Sequence, residues 1–217
     1  AAAIDQEVTD DAHPFGQAIA SLALSVSLTR LSAWGPATES LGDALERAEA
    51  MSRVWMQNWA RSLLVVVEAN LRAAGRTAAP SPSTEFGRDP RFGGLMAGLV
   101  AAEVALVEGR LDDVLSLAGR DAGRSVPTPN QVRALDLIAR ARLEMGDLEA
   151  AAAAAARGLA IAESMRLGTA VWRLRMVQAT ALGQPTDVAV AEFRALADRI
   201  SEPDLRWWFE RHPLAPR

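Results

Sequence analysis

RLEMGDLEAAAAAAARGLAI, residues 142–161, decides how the chain is read. Gly146 stands between two segments whose apolar residues recur at helical spacing. That is where a helix ends in the left-handed conformation, which glycine adopts without a steric penalty. Asp147 and Glu149 follow, and negative charge suits the first turn of a new helix. Ala150 to Ala156 are then all alanine, the residue of highest helix propensity. Alanine is also small enough for two helices to approach closely, so the run predicts a packed helix face rather than filler. Seven in a row cover every side of a helix, and only some are buried. Ala151, Ala154, Ala155 and Gly158 are expected against neighbouring helices, with Ala152, Ala153 and Ala156 toward solvent.

The same turn recurs on either side. LVEGRLDDVLSLA (106–118) and TALGQPTDVAVAE (180–192) align with LEMGDLEAAAAAA (143–155) on Gly109, Gly183 and Gly146, each 37 residues from the next. Five residues after the glycines stand Val114, Ala151 and Val188; seven before them stand Ala102, Ala139 and Met176. Gly75 and Gly35 continue the series toward the N-terminus at a similar spacing. Each glycine is read as the end of a helix, and each turn as the bend of a helical hairpin. One hairpin cannot bury its own apolar face, so hairpins stack.

The remaining breaks give the organisation. Trp34-Gly35-Pro36 is expected to end one helix at the glycine and open the next at the proline. Helices are predicted over about 14–34, 37–52, 53–74, 92–108, 111–122, 129–145, 147–166, 168–182, 186–200 and 202–210. Tyrosine is absent, and few stretches alternate with the period of a strand. Residues 1–13 read as an N-terminal tail and 14–217 as a single helical-repeat domain, with the best repeats over 94–200. Pro80, Pro82 and Pro90 mark 77–92 as a Pro-rich loop. A cap helix is expected over 201–210, with Ser201 as its N-cap, Pro203 in its first turn, and Trp207 and Trp208 covering the end of the stack.

Composition excludes several functions. The chain has 217 residues, half of them hydrophobic, enough for a sizeable core. It has no cysteine, hence no disulfide, thiolate metal site or cysteine nucleophile, and a reducing cytoplasm fits. All 23 basic side chains are arginine, a bias that suits GC-rich coding. It also removes every lysine-based mechanism. A net charge of −4 without a basic block argues against direct nucleic-acid binding. The most apolar runs, 18–28, 63–67 and 95–107, are shorter than the roughly 20 residues of a membrane-spanning helix. The chain does not begin with Met and reads as a segment excised from a longer protein.

GDLEAA (146–151) with the preceding LIARARLEM (137–145) resembles the turn and first helix of tetratricopeptide-like repeats. Leu135 and Trp172 stand where that family often has a bulky residue. The wider pattern resembles the helical sensor domains of large bacterial multidomain regulators, which sit beside nucleotidase and DNA-binding or cyclase modules. The resemblance implies an all-α fold of stacked antiparallel hairpins, a TPR-like α-solenoid with a right-handed superhelix. It implies a non-catalytic module that binds a protein, a peptide or neighbouring domains of its own chain, with no cofactor. An uncapped apolar end of such a stack admits a homo-oligomer.

Few residues offer chemistry. The two histidines, His13 and His212, stand near opposite ends, too few for a triad or a multi-histidine metal site. Asp10 and Asp11 beside His13 read as a solvated acidic tail. Asp112-Asp113 and Asp147/Glu149 read as helix-start charges rather than acid/base pairs. GRDPRFGG (87–94) reads as a loop rather than an anion cradle. Two groups remain. Arg133, Asp136 and Arg140 fall on one helix face, and Arg173 lies 33 residues beyond Arg140, close to one repeat. In a tetratricopeptide-like stack these first helices line the concave groove, where arginine forks suit an acidic peptide or a chain terminus. A solvated charged face is the competing reading. Met51, Trp55, Met56 and Trp59 form the second group, either a pocket for an apolar effector or ordinary core.

Overall fold

The computed structural model of the chain describes residues 14–75, 94–212 and 214–216, the side chains of 94–97 excepted. The tail 1–13 with His13, the Pro-rich loop 77–92 and most of the GRDPRFGG stretch lie outside the described residues. The fold is all-α. Among the described residues there are ten helices and no strand: α1 (Pro14–Arg30), α2 (Trp34–Ala50), α3 (Val54–Ala73), α4 (Gly94–Val107), α5 (Leu111–Ala122), α6 (Pro129–Glu144), α7 (Leu148–Ser164), α8 (Gly168–Ala181), α9 (Asp187–Ala197) and α10 (Pro203–Glu210). The chain divides into two compact units, 1–100 and 101–217, the division falling inside α4.

One device ends seven of the helices. A residue with positive φ follows the last turn at Ser32, Ser52, Gly75, Gly109, Gly146, Arg166 and Gly183. At Gly146, φ 78°, the Asp147 N–H donates back to the Arg142 carbonyl at 2.9 Å and the Gly146 N–H to Leu143 at 3.0 Å. This crossed pair satisfies carbonyls that a helix end leaves open. The same pair closes α1, where Ala33 and Ser32 donate to Leu28 and Thr29, and α7, where Leu167 and Arg166 donate to Ala162 and Glu163. The expected helix end at Gly35 is therefore corrected. The left-handed residue is Ser32, φ 57°, and Gly35 lies in the first turn of α2.

In the first unit, α1, α2 and α3 each pack on the next, and α1 also reaches α3. Small residues set the spacing: Ala18 on α1, Ala37, Ala44 and Ala48 on α2, and Ala60 on α3 are buried.

In the second unit, α6, α7 and α8 are packed in sequence, and α6 also touches α8. Thr128 caps α6 by accepting from the Gln131 N–H at 3.1 Å, with Pro129 in the first position. The Gln131 side chain donates to the Ala122 and Arg124 carbonyls, tying down the loop from α5. Asp147 caps α7 by accepting from the Ala150 N–H at 3.3 Å, and Arg142 donates to its other oxygen. Asp147 thus serves the helix end rather than an acid/base pair.

The alanine run packs as its spacing predicts, with one departure. Ala151, Ala154, Ala155 and Gly158 are buried, and Ala153 and Ala156 exposed. Ala152, expected in solvent, is also buried, against Leu143 and Ala181. Gly158 is the closest approach: a Cβ there would stand 3.0 Å from Leu174 of α8 and 3.2 Å from Leu135 of α6. In the last hairpin the repeat register slips. α5 and α7 start two residues after Gly109 and Gly146, but α9 starts at Asp187, four after Gly183. The longer turn, carrying Pro185, rotates the helix by one position. Val188 is 58% exposed, and Ala189 takes the close-contact place.

The terminal helix also differs from expectation. Its N-cap is Glu202, with no side-chain cap bond, rather than Ser201. Pro203 does hold the first position. Phe209, not Trp207 or Trp208, is fully buried, stacked at 4.7 Å on Phe193. Trp207 is exposed, edge-on to Trp208 and under the Arg211 guanidinium at 3.9 Å.

Candidate functional site

Helices α6 and α8 touch because α7 between them is so small at Gly158. Heptad spacing then sets Arg133, Asp136 and Arg140 along α6, beside Trp172 and Arg173 on α8. The structure ties Asp136 to Arg173 across the pair, Nε donating to Oδ2 at 3.2 Å. Asp136 is 4% exposed, and its Oδ1 is enclosed without a donor.

Arg133 is occupied differently. Its guanidinium grips both oxygens of Glu103 on α4, Nε donating to Oε1 at 2.8 Å and Nη2 to Oε2. Burial opposes its charge, but Glu103 outweighs burial and raises the Arg133 pKa above its ordinary value. Arg133 therefore clamps α4 to α6 and presents no free fork to a partner.

Arg140 is the third arginine, half-buried, and its Nε is enclosed with no acceptor. The indole Nε1 of Trp172, fully buried, likewise has none. Trp172 is ringed by Phe193 at 4.9 Å, Phe209 at 6.1 Å and His212 at 5.1 Å, all edge-on. His212 is buried, and burial, then Arg173 and Arg140, push its pKa well below 6.5. It is a neutral imidazole whose Nδ1 accepts from the Leu214 N–H at 3.0 Å, which leaves the proton on Nε2.

Around His212 the face thus carries two guanidinium charges against one carboxylate, with two N–H donors unmet. Buried donors without acceptors are costly. Among the described residues, no group of histidines and carboxylates stands in a metal-holding arrangement. None of the described helices is long and apolar enough to cross a membrane.

The second predicted group separates. Met56 is buried with Ala18 and Ala48, with Ile19 and Met51 against them, so both methionines serve the packing of the first unit. Trp55 is 44% exposed, and Trp59 is half-buried with its Nε1 enclosed and unpartnered. The rings lie 6.3 Å apart, tilted at 36°.

Sequence spacing found the arginines but missed Glu103 and His212. Glu103 is legible only as one repeat before Arg140. His212 lies 72 residues beyond Arg140, and no local pattern joins them. No protein-family model matches the chain, and no curated protein or solved structure matches it.

Proposed function

We propose that the chain is a non-catalytic binding module. In this reading its hairpins stack as a TPR-like, right-handed α-solenoid, and the face shared by α6 and α8 receives an acidic peptide. The partner is a protein or a neighbouring domain of the same chain, within a cytoplasmic bacterial regulator. The repeated helix-end turn and the contact of α6 with α8 support the stacking. The carrying observation for function is the pair of enclosed, unmet donors, Arg140 Nε and Trp172 Nε1, beside an excess of arginine. Asp136 Oδ1, an enclosed acceptor of the same cluster, meets neither donor, so the cluster does not complete itself.

The alternative reading, an effector pocket near Trp55 and Trp59, has the enclosed Trp59 Nε1 in its favour. Met51 and Met56, which would have lined that pocket, are instead spent in the packing against Ala18 and Ala48.

The test uses a fluorescein-labelled peptide of alternating glutamate and leucine. Arg140→Gln should weaken its binding about tenfold or more, the worth of a charge-assisted hydrogen bond. The same change should move Tm by less than about 3 °C, because no native hydrogen bond of Arg140 Nε is lost. Unchanged binding by a folded Arg140→Gln protein would remove the assignment.

A further inference from the structure

The segment after α10 is RHPLAPR, 211–217. Its described residues turn back on themselves. The His212 N–H donates to Phe209 and the Ala215 N–H to the His212 carbonyl at 2.8 Å. The Leu214 N–H donates to His212 Nδ1. This tight turn presents two side chains two residues apart, and both are held by the second unit. His212 stands edge-on to Trp172 of α8 at 5.1 Å. Leu214 packs against the buried cluster that α6, α7 and α8 share, Val132 and Ala139 with Ala154, Ala155 and Ala162 and with Leu174 and Val177.

His212 meets α8 at Trp172, the residue before Arg173, and both Arg173 and Arg140 act electrostatically on the buried imidazole. The fit is apolar and aromatic, and it is poor in charge. A neutral imidazole brings no anion to two guanidinium groups. With the segment in place, Arg140 Nε, Trp172 Nε1 and Asp136 Oδ1 all remain unmet. An occupant that fills space but leaves donors open is displaced by one that also supplies a carboxylate.

We propose that His212 and Leu214 are a built-in competitor: they pack against α8 and the core that α6, α7 and α8 share, and an acidic peptide binds the α6/α8 face by displacing them. The inference rests on the reading of this face as a peptide site, and adds its regulation. Affinity is then reduced by the fraction of molecules in which the segment is seated. A partner that pulled on residues beyond 210 would raise it.

The experiment uses the full chain and the same labelled glutamate–leucine peptide. His212→Ala with Leu214→Ala should bind it about 5- to 10-fold tighter than the wild type, as expected when a mostly closed state is opened. A free peptide of sequence RHPLAPR should return the variant toward wild-type affinity, and one with both anchors replaced by alanine should not. Loss of a buried imidazole can weaken folding, so a second measurement uses the wild type. Saturating acidic peptide should bring the His212 ring proton signals into fast exchange with solvent and restore an ordinary histidine titration. Equal affinity of variant and wild type, with Arg140→Gln still deleterious, would sink the competitor and spare the site. Failure of the peptide to bind any of these proteins, or indifference to Arg140→Gln, would remove both. An imidazole that stays buried under saturating peptide overturns the displacement.

Discussion

Ser21, Ser25, Ser40, Asp43 and Arg47 stand between α1 and α2, and all find partners there. Ser21 donates to Asp43 at 2.7 Å, Ser25 and Ser40 share a bond at 3.0 Å, and Arg47 reaches both Asp43 and Gln17. The seam between α6 and α8 has a similar mixture of residues, yet Asp136, Arg140 and Trp172 each keep an enclosed polar atom unmet. Both pairs of helices are drawn together by small residues. In the first seam these polar side chains meet one another, and among the described residues the one enclosed unmet atom at the α1–α2 bend is the Ser32 hydroxyl. The second keeps unmet groups, and His212 and Leu214, from beyond α10, pack against its helices. The proposed peptide site rests on this difference between the two seams.

The contrast is broken most forcefully at the two aspartates. Asp136→Ala leaves Arg173 without its partner, only 16% exposed, and should destabilise the second unit by about 3 kcal/mol. Asp43→Ala breaks a bonded pair too, but the carboxylate is 43% exposed, and the loss should stay under about 1 kcal/mol. Urea denaturation of both variants measures the difference. Equal losses would mean that the α6/α8 seam is as well solvated as the other.

Acid sharpens the same comparison. The folded-state pKa of His212 lies well below 6.5, burial being the first cause and Arg173 and Arg140 the next. Below pH 6.5 the unfolded chain therefore binds a proton that the folded one refuses, and stability falls as pH falls toward the folded value. The limit is about 1.4 kcal/mol per pH unit. Protonation also ends the ability of Nδ1 to accept from Leu214. In the first unit, burial tends to raise the Asp43 pKa, but bonds from Arg47 and Ser21 outweigh it and lower it below 3.8. That contribution is present above pH 3.8 and is lost only as pH falls through the folded value. Amide protection factors, corrected for the intrinsic slowing of exchange in acid, should thus fall between pH 7 and 5 in α6, α8, 211–212 and 214–216 before they do in α1 and α2. His212→Phe should flatten the response, and an unchanged pH profile would contradict a buried neutral imidazole.

The sequence carried much of this. Gly75, Gly109, Gly146 and Gly183 all adopt positive φ, and they were legible because few other residues do so cheaply. Arg133, Asp136 and Arg140 were legible as one face from spacing alone. What stayed hidden was set by tertiary structure. Arg133 was spent on Glu103, a partner on another helix. Val188 turned outward because two extra turn residues shifted the start of α9. His212, near the end of the sequence, was brought against Trp172 of α8 by a turn after α10. Three helix ends, Ser32, Ser52 and Arg166, use ordinary residues in the left-handed region, so glycine spacing skipped them and chose Gly35 instead.

Those three ends give the mildest test of how alike the units are. Arg166, φ 56°, ends α7 in the second unit, and Ser52, φ 52°, ends α2 in the first. In both, the hydrogen bonds around the bend hold a side-chain-bearing residue where its Cβ crowds the following carbonyl. Glycine removes that crowding but gives the unfolded chain more freedom, so the gain is only about 0.5–1 kcal/mol. Arg166→Gly and Ser52→Gly should each raise stability by that amount, and Gly146→Ala should lower it by about 1 kcal/mol. Thermal denaturation resolves changes of this size. If Ser52→Gly stabilises but Arg166→Gly destabilises, the Arg166 side chain has a further role at the α7–α8 bend, and the two units do not share one way of ending a helix.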